Sequence, residues 1–203
     1  MLQILDLLKN YLHTIILILS NPINSFCEIL MSDARLKDCF NIALLFCFIG
    51  LSVGYSISTD GSFQVQLLFL LVIPLLLYIL AIKISWVVVN SKVSMDIIIC
   101  QSLIFIGLNC LIMSIGYSFG MFALRIYNLP LYNFIMNNNA FTISYSLLHH
   151  ADVWERNFIS NNGLKYFILF CYLSIFICFI YWILISVGVA KRIGLKWWRG
   201  FIS

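Results

Sequence analysis

Four stretches of this chain, residues 39–58, 65–89, 97–119 and 166–190, are long, apolar and almost free of charge. A helix that crosses a bilayer needs roughly 20 predominantly apolar residues, and each stretch meets that length. In hydrocarbon the backbone must satisfy its own hydrogen bonds, which favours helix over any open alternative. Composition closes the soluble option. The chain is 63% hydrophobic and 10% charged, against about 25% charged in an ordinary soluble domain. So few polar groups cannot cover a soluble surface of this size. The expected fold is an all-α polytopic membrane protein with one membrane domain over residues 1–203. About four helices span, and a fifth crossing stays open for residues 2–19 or 125–150.

The segments outside the runs differ in kind. Residues 2–19 carry Gln3, Asp6, Asn10 and His13 at spacings of three and four, one polar stripe on an otherwise apolar helix. Such a helix lies in the interface more readily than it crosses. Its apolar part, 15–19, leads into "SNPINS" without an A-x-A-like cleavage site, so it is expected to be retained. Next, Asn21 can cap a helix that opens on Pro22, where the missing N–H has no partner to lose. Ile23, Phe26, Cys27, Leu30 and Met31 form one apolar stripe. Residues 1–37 therefore read as amphipathic interfacial helices, with Arg35 and Lys37 placed to meet lipid phosphates. Pro74 predicts a kink in the second run. Residues 125–163 hold "NNN", "SNN" and Pro130, a polar connection with room for short interfacial helices.

Charge sets the orientation. Lys9, Arg35, Lys37, Lys83, Lys92, Lys191, Arg192, Lys196 and Arg199 fall on one side of a four-span layout, and Arg125, Arg156 and Lys165 on the other. The nine-to-three excess puts both termini in the cytoplasm under the positive-inside rule. Lys191, Arg192, Lys196 and Arg199, with Trp197 and Trp198 beside them, fit a headgroup layer. The net charge of +4 is gathered at membrane edges, which speaks for a lipid partner and against nucleic acid.

Little in the chain points to a reaction. No acid, Arg or His occupies the centre of a run, although such groups mark most transport pathways. Gln101 and Asn109 are the polar residues of the third run; each reads as a bond between helices or as the lining of a polar cavity. Gly50 with Gly54, and Gly116 with Gly120, make G-x-x-x-G patterns that allow close backbone approach within one chain or between copies. The seven cysteines contain no C-x-x-C pair and read as small packing residues, with a bridge or metal site as the alternative. His149, His150, Asp152 and Glu155, in "HHADVWE", form the one cluster with metal-ligand residue types, but the spacing is not H-E-x-x-H and a solvated segment is the simpler reading. Phosphate-loop, dinucleotide and nucleophile-elbow patterns are absent. No cofactor is implied.

Three stretches together resemble the bacterial Yip1-domain membrane proteins. In "ILSNPINSFCEILMSDARLKDCFNIALLFCFIG", Asn21, Pro22, Phe26, Arg35 and Lys37 match that family's opening. In "ISWVVVNSKVSMDIIICQSLIF", Ser94 stands where the family has a serine before its third span. "YWILISVGVAKRIGLKWWRGFIS" resembles its end, through Trp182, Gly188, Gly194, Trp198 and Arg199. The resemblance implies five spans and, from the eukaryotic members, an association with vesicle trafficking and small GTPases. It supplies no catalytic residue. The expected function is a non-enzymatic scaffold or accessory subunit in a bacterial inner membrane, with a membrane-protein partner or a second copy. The alternatives are a small-solute channel or transporter subunit with Gln101 and Asn109 in a cavity, and a metal enzyme resting on His149, His150 and Asp152.

Overall fold

The computed structural model describes residues 2–55, 77–88, 92–138 and 162–202; every regular element among them is a helix. In chain order these are α1 (Leu2–Ser20), α2 (Pro22–Ile29), α3 (Arg35–Tyr55), α4 (Leu77–Val88), α5 (Met95–Tyr127), α6 (Leu129–Asn137), α7 (Asn162–Arg192) and α8 (Trp197–Ile202). Among the described residues three helices are long and apolar enough to cross a membrane: α3, α5 and α7. The described part of the second run is the shorter apolar helix α4. Pro74 and the rest of that run lie outside the described residues, as do residues 139–161 of the polar connection.

Helix α5 is the axis of the fold. Within its most apolar stretch 67% of residues are buried, against 28% in α3 and 17% in α7. The two outer helices present Phe40, Leu44 and Phe48, and Tyr172, Phe176 and Phe179, to the outside. A helix apolar all round needs either protein or lipid on every side; here α5 takes protein, while α3 and α7 leave apolar outer faces suited to lipid. Helix α3 lies parallel to α5. Arg35 meets Asp96 at its start, Ala43 meets Gly107, and Gly50 meets Cys110 further along. Helix α7 runs the other way. Ser186 meets Gln101, Trp182 meets Phe105, Ser174 meets Gly116 and Tyr166 meets Tyr127. Helix α4 is also antiparallel to α5, with Trp86 against Gln101 and Tyr78 against Asn109.

All three long helices reach beyond the runs that announced them, α5 furthest. Helix α5 continues past residue 119 to Tyr127, so the expected polar connection begins inside it. At 33 residues it is about 50 Å long, well beyond the roughly 30 Å of hydrocarbon; Arg125 is carried on the overhang. A turn at Asn128 then starts α6: the Asn128 side-chain oxygen accepts from the Leu131 N–H at 3.2 Å, with Pro130 in the first turn. Leu131 packs there with Met121 and Leu124 in a small second core.

The N-terminal helices depart from expectation in what covers them. Helix α2 begins on Pro22 as the sequence predicts, although the Asn21 side chain makes no capping bond. Its apolar stripe faces α7, not headgroups: Phe26, Cys27 and Leu30 are buried, and Met31 is left exposed. The reason lies in α7. Gly188 has no side chain, so the Ile23 carbonyl comes within 3.0 Å of where a Cβ would stand. Helix α1 ties the two outer helices together. Tyr11 accepts a hydrogen bond from Asn41 of α3 at 2.8 Å, and Tyr181 of α7 donates to the Leu19 carbonyl at 2.7 Å. Ile15 and Ile18 face inward while Asn10 and His13 remain exposed.

The far end of α7 closes in a Schellman motif. Leu195 N–H bonds to the Ala190 carbonyl and Gly194 N–H to that of Lys191, with Gly194 at φ +72°. The chain then doubles back, and Gly200 of α8 sits on the α7 backbone at Ser186 and Val187.

Candidate functional site

Two features collect the polar side chains of this apolar bundle. The first is a buried network on the α5 axis. Gln101 is 2% exposed; its Oε1 accepts from the Trp86 indole N–H at 3.1 Å, and its Nε2 donates to Ser186 Oγ at 2.8 Å. One amide thus joins α4, α5 and α7. Two turns further along, Asn109 Nδ2 donates to the Tyr78 hydroxyl at 3.2 Å, again linking α5 to α4. Asn109 Oδ1 is buried with no partner among the described residues. Between the two amides Phe105 packs edge to face with both Tyr78 and Trp182, the Phe105 and Trp182 centroids 4.5 Å apart, and Tyr78 lies tilted against Trp182.

The second feature is a cationic end. Helices α3 and α5 both start there and α7 ends there, which brings together Arg35, Lys37, Lys92, Lys191, Arg192, Lys196 and Arg199. Arg35 is paired with Asp96 at 3.1 Å in a half-exposed bridge, and Lys191 donates to Asn24 Oδ1 at 2.6 Å. Lys37, Arg192 and Lys196 are exposed. Trp197 and Trp198 are exposed beside them, and the Arg199 guanidinium lies 5.5 Å over the Trp198 ring. Arg125 and Lys165 lie at the opposite end, near the Tyr127–Tyr166 contact. A shallow groove of about 380 Å³ opens at that end, lined by Phe119, Phe122, Ile126, Tyr127, Tyr166 and Phe170. Its aromatic walls suit hydrocarbon and offer no set of converging polar groups.

The glycines of the sequence patterns are used inside the chain. A Cβ at Gly50 would stand 2.9 Å from the Cys110 carbonyl of α5. One at Gly116 would collide with Ser174 Oγ of α7, and one at Gly120 would meet the Phe167 ring at 2.7 Å. The side-chain surroundings of Gly54 lie outside the described residues, as do His149, His150, Asp152 and Glu155. Among the described residues no three His, Cys, Asp or Glu side chains group as metal ligands, and all seven cysteines are free.

Sequence reasoning names Gln101 and Asn109 but not the residues that hold them. Trp86, Ser186 and Tyr78 carry no pattern of their own. Asp96, the partner of Arg35, had one available signal: an acid in the first turn of a helix, where the macrodipole favours it.

No family model, curated protein or solved structure matches this chain.

Proposed function

We propose that the protein is a non-enzymatic membrane scaffold or accessory subunit of the Yip1-like kind, seated in a bacterial inner membrane with both termini in the cytoplasm. The observation that carries this reading is the state of Gln101. Both polar atoms of its amide are engaged by Trp86 and Ser186, within a bundle packed by aromatic rings. A residue bound on both sides ties its neighbouring helices together, which supports a structural role for it. The free chemistry lies at the cationic end, where Lys37, Arg192 and Lys196 with Trp197 and Trp198 form a surface suited to anionic headgroups and to the acidic face of a membrane-protein partner. Purification in mild detergent tests this: a scaffold brings down a stoichiometric partner chain, and replacing Lys37, Arg192, Lys196 and Arg199 by Gln releases it. Recovery of the chain alone under every mild condition contradicts the reading.

A second reading, a small-solute channel or transporter subunit, is favoured by one observation: the buried, unpartnered Oδ1 of Asn109. It predicts solute flux into liposomes that Asn109→Leu abolishes.

A further inference from the structure

The aromatic groove between α5 and α7 sits at a height where a bilayer offers it little hydrocarbon. With Asp96 at one edge of the hydrocarbon layer, Phe119 lies about 35 Å and Tyr127 about 46 Å along α5. Both are past the far edge of a layer roughly 30 Å thick, and a tilt of about 20° leaves them there. Yet this end is not dressed for water. Phe119, Phe122 and Ile126 are each more than half exposed, and they line the groove with Tyr127, Tyr166 and Phe170. Two cations flank it. Arg125 follows Phe122 by one turn on α5, and Lys165 precedes Tyr166 on α7; both are exposed. The described acidic side chains, Glu28, Asp33, Asp38 and Asp96, all belong to the other end of the bundle. Helix α5 ends here and α7 begins, so their terminal dipoles oppose and the two cations set the sign.

We propose that this groove is a binding site for one anionic glycerophospholipid, with its phosphate between Arg125 and Lys165 and the upper part of an acyl chain along Phe119, Phe122 and Phe170. Charge selects the occupant. A second copy meeting this face across a two-fold axis would set Arg125 and Lys165 against the same two cations. A soluble anion would meet the cations and leave the aromatic walls uncovered. A zwitterionic lipid would cover the walls but bring an ammonium with its phosphate. An amphiphile with a net negative head satisfies both the walls and the rim. Tyr127 and Tyr166 fit the junction of head and tail. Their rings lie 5.3 Å apart, an apolar body for the chain with hydroxyls for the polar layer. This site uses neither Gln101 nor the cationic end, so it stands apart from the scaffold reading.

The test uses the full chain in phosphatidylcholine nanodiscs holding a trace of phosphatidylglycerol with a photoactivatable diazirine high on one acyl chain. After illumination the label is expected in peptides covering residues 119–127 and 166–170, and excess unlabelled phosphatidylglycerol removes it. That competition is read on the wild-type protein and requires no variant to fold. Arg125→Gln combined with Lys165→Gln weakens the competition about 30-fold, the effect of two surface cations. Lys37→Gln combined with Arg192→Gln leaves it as in wild type. The proposal is overturned if these peptides take no label, if the label survives excess phosphatidylglycerol, or if the same diazirine on phosphatidylcholine labels them equally. Competition that the Arg125 and Lys165 changes leave intact, or a cross-link from this face to a second chain in place of lipid, also overturns it.

Discussion

Replacing Gln101 with Leu isolates what the buried amide contributes. Leu is close to Gln in volume, so the packing around position 101 is largely kept. Two interhelical hydrogen bonds are lost, to Trp86 and to Ser186. In membrane bundles such bonds average about 0.6 kcal/mol and reach about 1.7. The Ser186 hydroxyl, the acceptor in its bond to Gln101, loses only that incoming bond and can still donate to a carbonyl one turn back. The Trp86 indole, 1% exposed, loses the acceptor it now has, and an unsatisfied buried donor costs about 1–3 kcal/mol. These terms overlap, and the expected destabilisation is about 1–3 kcal/mol. At 2 kcal/mol the folding equilibrium falls about 30-fold. Unfolding in mixed micelles, driven by SDS and followed by far-UV circular dichroism, measures this directly. A double-mutant cycle with Ser186→Ala then yields the coupling across α5 and α7, expected near 0.6 kcal/mol. A Gln101→Leu protein as stable as wild type, with no coupling to Ser186, refutes the assignment of Gln101 as the tie between α4, α5 and α7.

Other perturbations follow from contacts. Gly50→Leu drives a branched side chain into the Cys110 backbone, already 2.9 Å from a mere Cβ; overpacking of about 1–3 kcal/mol or more is expected to appear as lost monodispersity on gel filtration. Gly116→Ala collides with Ser174, and the same micelle assay should show partial recovery when Ser174→Gly is added. Gly194→Ala meets no neighbour within 4 Å, so its cost is that of the φ of +72° alone, about 1–2 kcal/mol. Its expected signature is local: faster tryptic cleavage at Lys196 and Arg199 as α8 lifts from α7, with the rest of the bundle unchanged. Arg35→Gln removes a half-exposed ion pair worth about 0–1 kcal/mol, and its effect should fade in high salt.

What the sequence made legible was what one segment decides alone. Apolar length announced α3, α5 and α7, and Pro22 announced the start of α2. Partners across the bundle were not legible. The two residues that hold Gln101 lie 15 and 85 positions away, and neither Trp86 nor Ser186 is unusual where it stands. Helix α2 shows the limit most clearly. An apolar stripe fits lipid and protein equally well, and the choice is made by Gly188, on a helix at the other end of the chain. Gly50 and Gly116 were readable as places of close approach, but the backbone of Cys110 and the hydroxyl of Ser174 had to be found in three dimensions. Arg125 reads as the start of the polar connection, yet it lies in the last turn of a 33-residue helix and does not end it.

The proposed function places the cationic end of the bundle, and both termini with it, in the cytoplasm. Reporter fusions at each terminus, one enzyme active only in the cytoplasm and one only in the periplasm, measure this most directly. Cytoplasmic activity at both ends is the expected result. A periplasmic signal from the C-terminal fusion would place Lys191, Arg192, Lys196 and Arg199 outside and contradict it.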